Sequence, residues 1–253
     1  MKAVMLWING WAMPDEVWEP IVDALDDCEH RRPDYSRIVH PEQFYTAVRE
    51  QLSPLRSMPL IVIGWSMGGM LGLRLAQESA VDGLIAIGTA ARFVGSRGDG
   101  SSGWQDTHLR LMSRKLTRNR EQVIGDFHYS MFTQAERERI ADVGVRLADK
   151  WPQPTLLAGL SYLQKEDCSP LLPEIACPVT VIHGTEDGIC PYRAGVELAS
   201  GLSASALSAS ALSASALSSA RLVSVPGGGH AIPLLYPEII IEEAKRMVGR
   251  YGK

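Results

Sequence analysis

The chain has 253 residues, of which 45% are hydrophobic and 21% charged. That is globular composition, which excludes wholesale disorder and fibrous repeats, and the length suits one large α/β domain or two small ones. A net charge of −4 gives no general drive toward nucleic acid or an anionic membrane, so neither is an expected partner.

The elements follow in chain order. Met5–Ile8 is a short apolar run broken by Asn9-Gly10, which reads as a buried strand ending in a loop. Its brevity, and the lack of a small-residue cleavage site after it, speak against a signal peptide. Asp15–Leu25 carries apolar residues at helical spacing, with Pro20 tolerated in a first turn. Residues 41–55 form a second amphipathic helix, with Phe44, Val48 and Leu52 on one face. Leu60–Ile63 is a core strand, Ser66–Ser79 a helix, and Gly83–Gly88 a third strand. Val179–His183 and Arg221–Val225 are the fourth and fifth, and Ile239–Tyr251 closes the chain as a helix. Strands alternating with helices predict a mostly parallel sheet covered on both faces.

Between residues 104 and 163 strand signals vanish and helical stretches follow one another at 105–117, 119–131, 134–149 and 155–164. The predicted organisation is a core of residues 1–103 and 164–253 with a helical cap, residues 104–163, bounded by the Gly/Ser-rich Gly95–Gly103 and by Ser169–Pro178. Such an insert suits a lid over a site. Residues 202–219 repeat Leu-Ser-Ala-Ser-Ala three times. Leucine at every fifth position matches neither helix nor strand periodicity, so this reads as an expansion in a surface helix or loop. No apolar run nears the roughly 18 residues that span a bilayer. The four cysteines, Cys28, Cys168, Cys177 and Cys190, show neither CxxC pairing nor metal-ligand spacing. The expectation is a soluble, cytoplasmic chain with reduced thiols and no metal.

The chemistry centres on Leu60-Ile61-Val62-Ile63-Gly64-Trp65-Ser66-Met67-Gly68-Gly69, a strand, a Gly-x-Ser-x-Gly and a helix. A sharp strand-to-helix turn lifts a serine hydroxyl clear of the sheet, and glycines two before and two after it let the backbones approach. A serine nucleophile needs a base, and the base needs an orienting carboxylate. With this turn the chain order is Ser, then Asp or Glu, then His. The strand ending in His183-Gly184-Thr185-Glu186-Asp187 supplies the acid, and that ending in Pro226-Gly227-Gly228-Gly229-His230 the base. Ser66, Asp187 and His230 are the predicted catalytic residues, with Glu186 as rival acid. His30, His40, His108, His128 and His183 read as structural or solvated. The expected oxyanion donors are the backbone N–H groups of Met67 and of Trp11, in the loop Asn9-Gly10-Trp11.

These residues make the chain resemble the α/β-hydrolase superfamily over nearly its full length. Within it the chain is most similar to the biotin-pathway esterases that demethylate pimeloyl-acyl-carrier-protein methyl ester. The likeness is carried by Asn9-Gly10-Trp11-Ala12-Met13, Val17-Trp18, Gly64–Gly69, Gly184-Thr185-Glu186-Asp187-Gly188-Ile189-Cys190-Pro191 and Gly229-His230-Ala231-Ile232-Pro233. The resemblance implies the same triad and oxyanion amides, a helical cap, no cofactor, and a small acyl ester as substrate. Broad short-chain esterases and acyl-carrier-protein thioesterases share the motifs, and a binding module on the same fold is the reading from another class. Three departures stand out. Asn9 replaces the usual His-Gly-x-Gly-like oxyanion residues, a leading hairpin is missing, and 43 positions separate Asp187 from His230. Without the three pentads that last interval takes a length usual in the superfamily, which predicts that the repeat bulges away from the site.

The segment Trp104–Arg120 holds Arg110, Arg114, Lys115, Arg118 and Arg120 against the single acid Asp106. Arg110, Arg114 and Arg118 fall at i, i+4 and i+8, one helix face. This is either a docking face for an acidic acyl-carrier protein or a solvated face balanced by Glu121, Asp126, Glu136 and Glu138.

Overall fold

Apolar strands flanked by helices leave few ways to bury both faces of a sheet. The computed structural model resolves them as six parallel strands in the order β2-β1-β3-β4-β5-β6. The structure describes residues 2–52, 57–78, 81–95, 103–143, 150–208 and 220–251, with the side chains of 141–143 and 204–208 left aside. The strands are β1 (Val4–Ile8), β2 (Glu29–Arg31), β3 (Leu60–Trp65), β4 (Gly83–Ile87), β5 (Val179–Gly184) and β6 (Arg221–Val225). Every residue of β1, β3, β4 and β5 is buried, as expected for strands covered on both faces. The edge strands β2 and β6 are only partly covered.

A 3-10 turn over Asp15–Trp18 leads into α1 (Glu19–Asp23), so the expected single helix is two short pieces. α2 (Glu42–Arg49) and α3 (Met67–Glu78) follow. Between β4 and β5 come α4 (Asp106–Leu116), α5 (Arg120–Ser130), α6 (Gln134–Val143) and α7 (Gln153–Lys165). α8 (Tyr192–Ser208), α9 (Ile232–Leu235) and α10 (Pro237–Val248) complete the chain. α2, α3, α8 and a 3-10 turn at Ser169–Glu174 cover one side of the sheet, and α1 and α10 pack together elsewhere on it. α8 runs into the first residues of the Leu/Ser/Ala repeat; the rest of that repeat lies outside the described residues, and with it the expected outward bulge. All four cysteines are buried free thiols. Among the described residues no helix is long and apolar enough to cross a membrane.

The register determines where chemistry is possible. Ile8 pairs Gly64, Trp65 pairs Ile87, and Gly184 pairs Val225, so β1, β3, β4, β5 and β6 end together along one edge. The chain leaves β1 toward β2 on one side and returns to β3 on the other. That reversal between β1 and β3 is the place where an open parallel sheet offers a crevice.

Candidate active site

β3 ends at Trp65 and α3 begins at Met67, so Ser66 alone makes the turn. Its φ is +57°, a left-handed conformation that costs a non-glycine residue energy and persists only where its surroundings enforce it. The Ser66 N–H donates to the Ile87 carbonyl at 2.8 Å. The Ser66 carbonyl accepts from the Gly69 N–H at 3.0 Å and from Thr89 Oγ1 at 3.2 Å. The two flanking glycines are steric necessities. A Cβ on Gly68 would overlap the Ile8 carbonyl, and one on Gly64 the Gly68 carbonyl. Thr89, fully buried at the end of β4, is a support that the sequence pattern did not mark.

The predicted acid and base lie side by side. Asp187 Oδ2 lies 2.7 Å from His230 Nδ1, and both residues are buried. Asp187 Oδ1 accepts from the N–H groups of Ile189 (2.9 Å) and Cys190 (2.8 Å), which fixes the carboxylate plane. The rival Glu186 is exposed, with its N–H bonded to the Gly228 carbonyl. His230 Nε2 is buried without a hydrogen-bond partner among the described residues, a basic nitrogen available to an incoming proton. Trp65, the variable residue before the serine, donates its Nε1–H to the His230 carbonyl at 3.0 Å.

His183 is structural, as expected, but close to the chemistry. It is fully buried at the end of β5, with Nε2 2.7 Å from the Cys190 carbonyl and 3.5 Å from Asp187 Oδ2. A carbonyl only accepts, so Nε2 carries the hydrogen. Burial pushes the His183 pKa down, against the opposing charge of Asp187. His30 is bonded through both nitrogens, to Trp7 Nε1 and to the Leu25 carbonyl, while His40 and His108 are exposed and His128 is half-buried on α5.

The loop after β1 lies against the serine turn: a Cβ on Gly10 would be 3.4 Å from that of Ser66. Ala12 there has φ +59°, a second enforced left-handed residue. Asn9, the departure in this loop, braces it. Its amide donates to the Met13 carbonyl and to Asp15, and its carbonyl accepts from Trp18 Nε1. Trp151 Nε1 also donates to the Met13 carbonyl, at 3.1 Å. The Trp11 and Met67 N–H groups have no backbone acceptor outside regular helix and strand bonding among the described residues, leaving them available to an oxyanion. Ser66 and His230 line one tight cleft with Trp11, Trp65, Phe127 and Met131.

Arg110, Arg114 and Arg118 are all exposed. The expected single face is shortened, because α4 ends at Leu116 and Arg118 lies in the turn beyond it. There the Arg118 and Asn119 N–H groups both reach back to the Lys115 carbonyl, and Asn119 caps α5. Glu136, placed above among the acids of a solvated face, is instead buried.

The chain's family follows from residues 5–243, which match the model of the alpha/beta hydrolase family. A curated relative from Nitrosomonas europaea, a pimeloyl-[acyl-carrier protein] methyl ester esterase, is 29% identical over 249 residues, covering 92% of this chain and 91% of that one. Two solved structures share the fold. An esterase from Exiguobacterium antarcticum has a TM-score of 0.73 at 17% identity, covering 98% of this chain and 92% of that one. An enol-lactonase from Burkholderia xenovorans has a TM-score of 0.74 at 20% identity, covering 98% and 91%. With a family match spanning nearly every strand and both ends of the site, the chain belongs to the alpha/beta hydrolase family.

Proposed function

We propose that this protein is a serine carboxylesterase whose substrate is the methyl ester of a pimeloyl group carried on an acyl-carrier protein. The observation that carries the esterase reading is the placement of Ser66 and His230 in one cleft, with Asp187 bonded to the far side of the imidazole. Ser66 Oγ attacks the ester carbonyl while His230 Nε2 takes its proton, and Asp187 stabilises the imidazolium. The N–H groups of Trp11 and Met67 receive the oxyanion. Collapse releases methanol, protonated by His230, and a water deprotonated by His230 then hydrolyses the acyl-enzyme. No step calls for a metal or cofactor.

Two features support the finer reading. The curated relative carries that name. A cavity of about 230 Å³ lies between α4 and α5, walled by Trp104, Leu111, Met112, Phe127 and Ile189, with Lys115 at its lining. Phe127 belongs to both spaces, so an acyl chain has apolar room beside the reacting carbonyl. In this reading residues 104–163 serve as the cap, and Arg110, Arg114 and Arg118 orient the acidic carrier.

The test compares hydrolysis of pimeloyl-carrier-protein methyl ester with that of a small activated ester and of a carrier-bound thioester, with Ser66→Ala as control. A preference for the carrier-bound methyl ester that disappears in Ser66→Ala supports the full reading. Turnover of the small ester alone leaves a generalist esterase, and preference for the thioester leaves a thioesterase. A binding module would show no turnover and no Ser66-dependent labelling by a fluorophosphonate.

A further inference from the structure

We propose that Glu136 is a positioning residue for His230, transmitting the placement of α5 and α6 to the imidazole; this rests on His230 being the general base. Glu136 is only 1% exposed, which is unusual for a carboxylate in the first turn of a helix, where water ordinarily solvates it. Part of its role is local. Thr133 and Glu136 form a reciprocal capping box, with the Thr133 N–H donating to Oε2 at 2.8 Å and the Glu136 N–H to Thr133 Oγ1 at 3.2 Å. A capping box needs neither burial nor the second carboxylate oxygen.

That second oxygen leaves the helix. Glu136 Oε1 accepts the Gly229 N–H at 2.9 Å, and the next N–H along, that of His230, donates to the Met131 carbonyl at 2.7 Å. The two peptide groups that set His230 in place are therefore both held by the α5–α6 turn. The contact is tight, since a Cβ on Gly229 would stand 2.6 Å from both Glu136 Oε2 and the Met131 carbonyl oxygen. A third group faces the same carboxylate: burial, and then the charge of Glu136, push the Tyr236 pKa up.

The loop leading to His230 gives the core little hold of its own at this point. Three glycines precede the histidine, a stretch with few intrinsic backbone preferences. Its first half is tied to the β5 loop through Gly227 N–H to Thr185 Oγ1 and Glu186 N–H to the Gly228 carbonyl. Its last step is tied to the helices through Glu136 and Met131. Core-side fixation of His230 itself comes from Asp187 on the ring and Trp65 on the carbonyl. Losing the Glu136 bond leaves the Gly228–Gly229 peptide held through the Gly228 carbonyl, so that it can turn, shift Gly229 and misaim His230 Nε2 relative to Ser66, while the acyl cavity stays as it was.

The experiment uses the full chain with Glu136→Met, which keeps side-chain volume and helix propensity but no acceptor, and Glu136→Gln, which restores the acceptor toward Gly229. Steady-state kinetics on a small activated ester are read beside Ser66→Ala, with circular dichroism as the check on folding. Misplacement of a catalytic group by about 1 Å lowers the rate on the order of 10²-fold. The expected result is a kcat loss of that size in Glu136→Met at nearly constant KM, slower fluorophosphonate labelling of Ser66, and partial recovery in Glu136→Gln. A merely structural glutamate would lower the melting temperature and leave kcat alone. Folded Glu136→Met with wild-type kcat overturns the proposal; should that variant not fold, Glu136→Asp, whose shorter side chain withdraws the carboxylate from Gly229 but can still cap the helix, takes its place, and wild-type kcat in it overturns the proposal. Activity surviving in Ser66→Ala would instead overturn the esterase mechanism, so the two failures are distinct.

Discussion

A Cβ placed on Gly159 would stand 2.5 Å from Cδ1 of Trp11. α7 therefore presses its backbone directly onto the indole of the loop that carries a proposed oxyanion donor. The ring has no room to retreat: Trp11 is buried, its Nε1–H donates to the Leu156 carbonyl at 2.8 Å, and Phe127 meets it edge-on at 4.9 Å.

Gly159→Ala is expected to act on stability and activity together. Overpacking of a filled core costs roughly 1–3 kcal/mol, so the melting temperature falls. Displacement of Trp11 shifts the loop backbone and lowers kcat/KM, by an amount on the order of 10-fold to 10²-fold for a misplaced donor. Trp11→Phe in the same background removes part of the clash. Stability recovered in the double variant beyond the sum of the single effects confirms the contact, and strict additivity would refute it.

Asp187 and Glu186 are adjacent in sequence and opposite in circumstance. Only Asp187 reaches the imidazole, while Glu186 is exposed. Asp187→Asn leaves the shape unchanged but presents the wrong partner to His230 Nδ1, and kcat should drop by roughly 10⁴-fold. Glu186→Gln should leave kcat within about twofold, as for a surface charge remote from the reacting atoms. Equal losses in the two variants would reassign the acid.

The contrast between these two residues shows what was legible in the sequence. Chain order and loop position favoured Asp187 with Glu186 as rival, and what sets the two apart in the structure, the contact to His230, is tertiary. The buried strands were legible because covered parallel strands are written as apolar runs. β2 was not, because Glu29-His30-Arg31 is a short polar edge whose pairing is supplied by β1. The serine turn was legible because local backbone geometry imposes its glycines. Trp65, Thr89 and Glu136 were not, since each acts through a bond to a residue distant in the chain. Glu136 completes a local capping box with Thr133, and nothing in that spacing announces that the carboxylate also holds Gly229.

His183 gives the fold a pH dependence with a definite sign. Burial lowers its native pKa below the ordinary value of 6.5, and the neighbouring His230 acts in the same direction, while Asp187 and the Cys190 carbonyl act against it. Above that ordinary value neither the folded nor the unfolded state binds the proton, and no stability is lost. As pH falls below it, the unfolded chain takes up a proton that the native state refuses, so unfolding becomes easier down to the native pKa. His183→Gln keeps a donor for the Cys190 carbonyl and removes the titration. Denaturant unfolding at about pH 7.5 and about pH 5 should show a larger loss in the wild type than in the variant. Equal losses would mean that His183 protonates as readily in the native state as in the unfolded one.

The basic residues of α4 are not equivalent, and that inequality tests the proposed carrier-protein face. Arg110 Nε is already paired with Asp106 at 2.6 Å, one helical turn away. Arg118 lies past the helix end, where its direction is set by the turn into α5. Arg114 and Lys115 stand in the last turn of α4, where positive charge complements the helix dipole, and both are exposed. Arg114→Glu should therefore lower kcat/KM for the carrier-bound ester more than Arg110→Glu does, by about 10-fold for a rim charge that steers encounter, and the loss should shrink with added salt. Turnover of a small ester should not change, because the Ser66 cleft contains none of these residues. A loss of equal size on the small ester would place the effect in the folding of α4, and the absence of any loss on the carrier-bound ester would leave the face a solvated one.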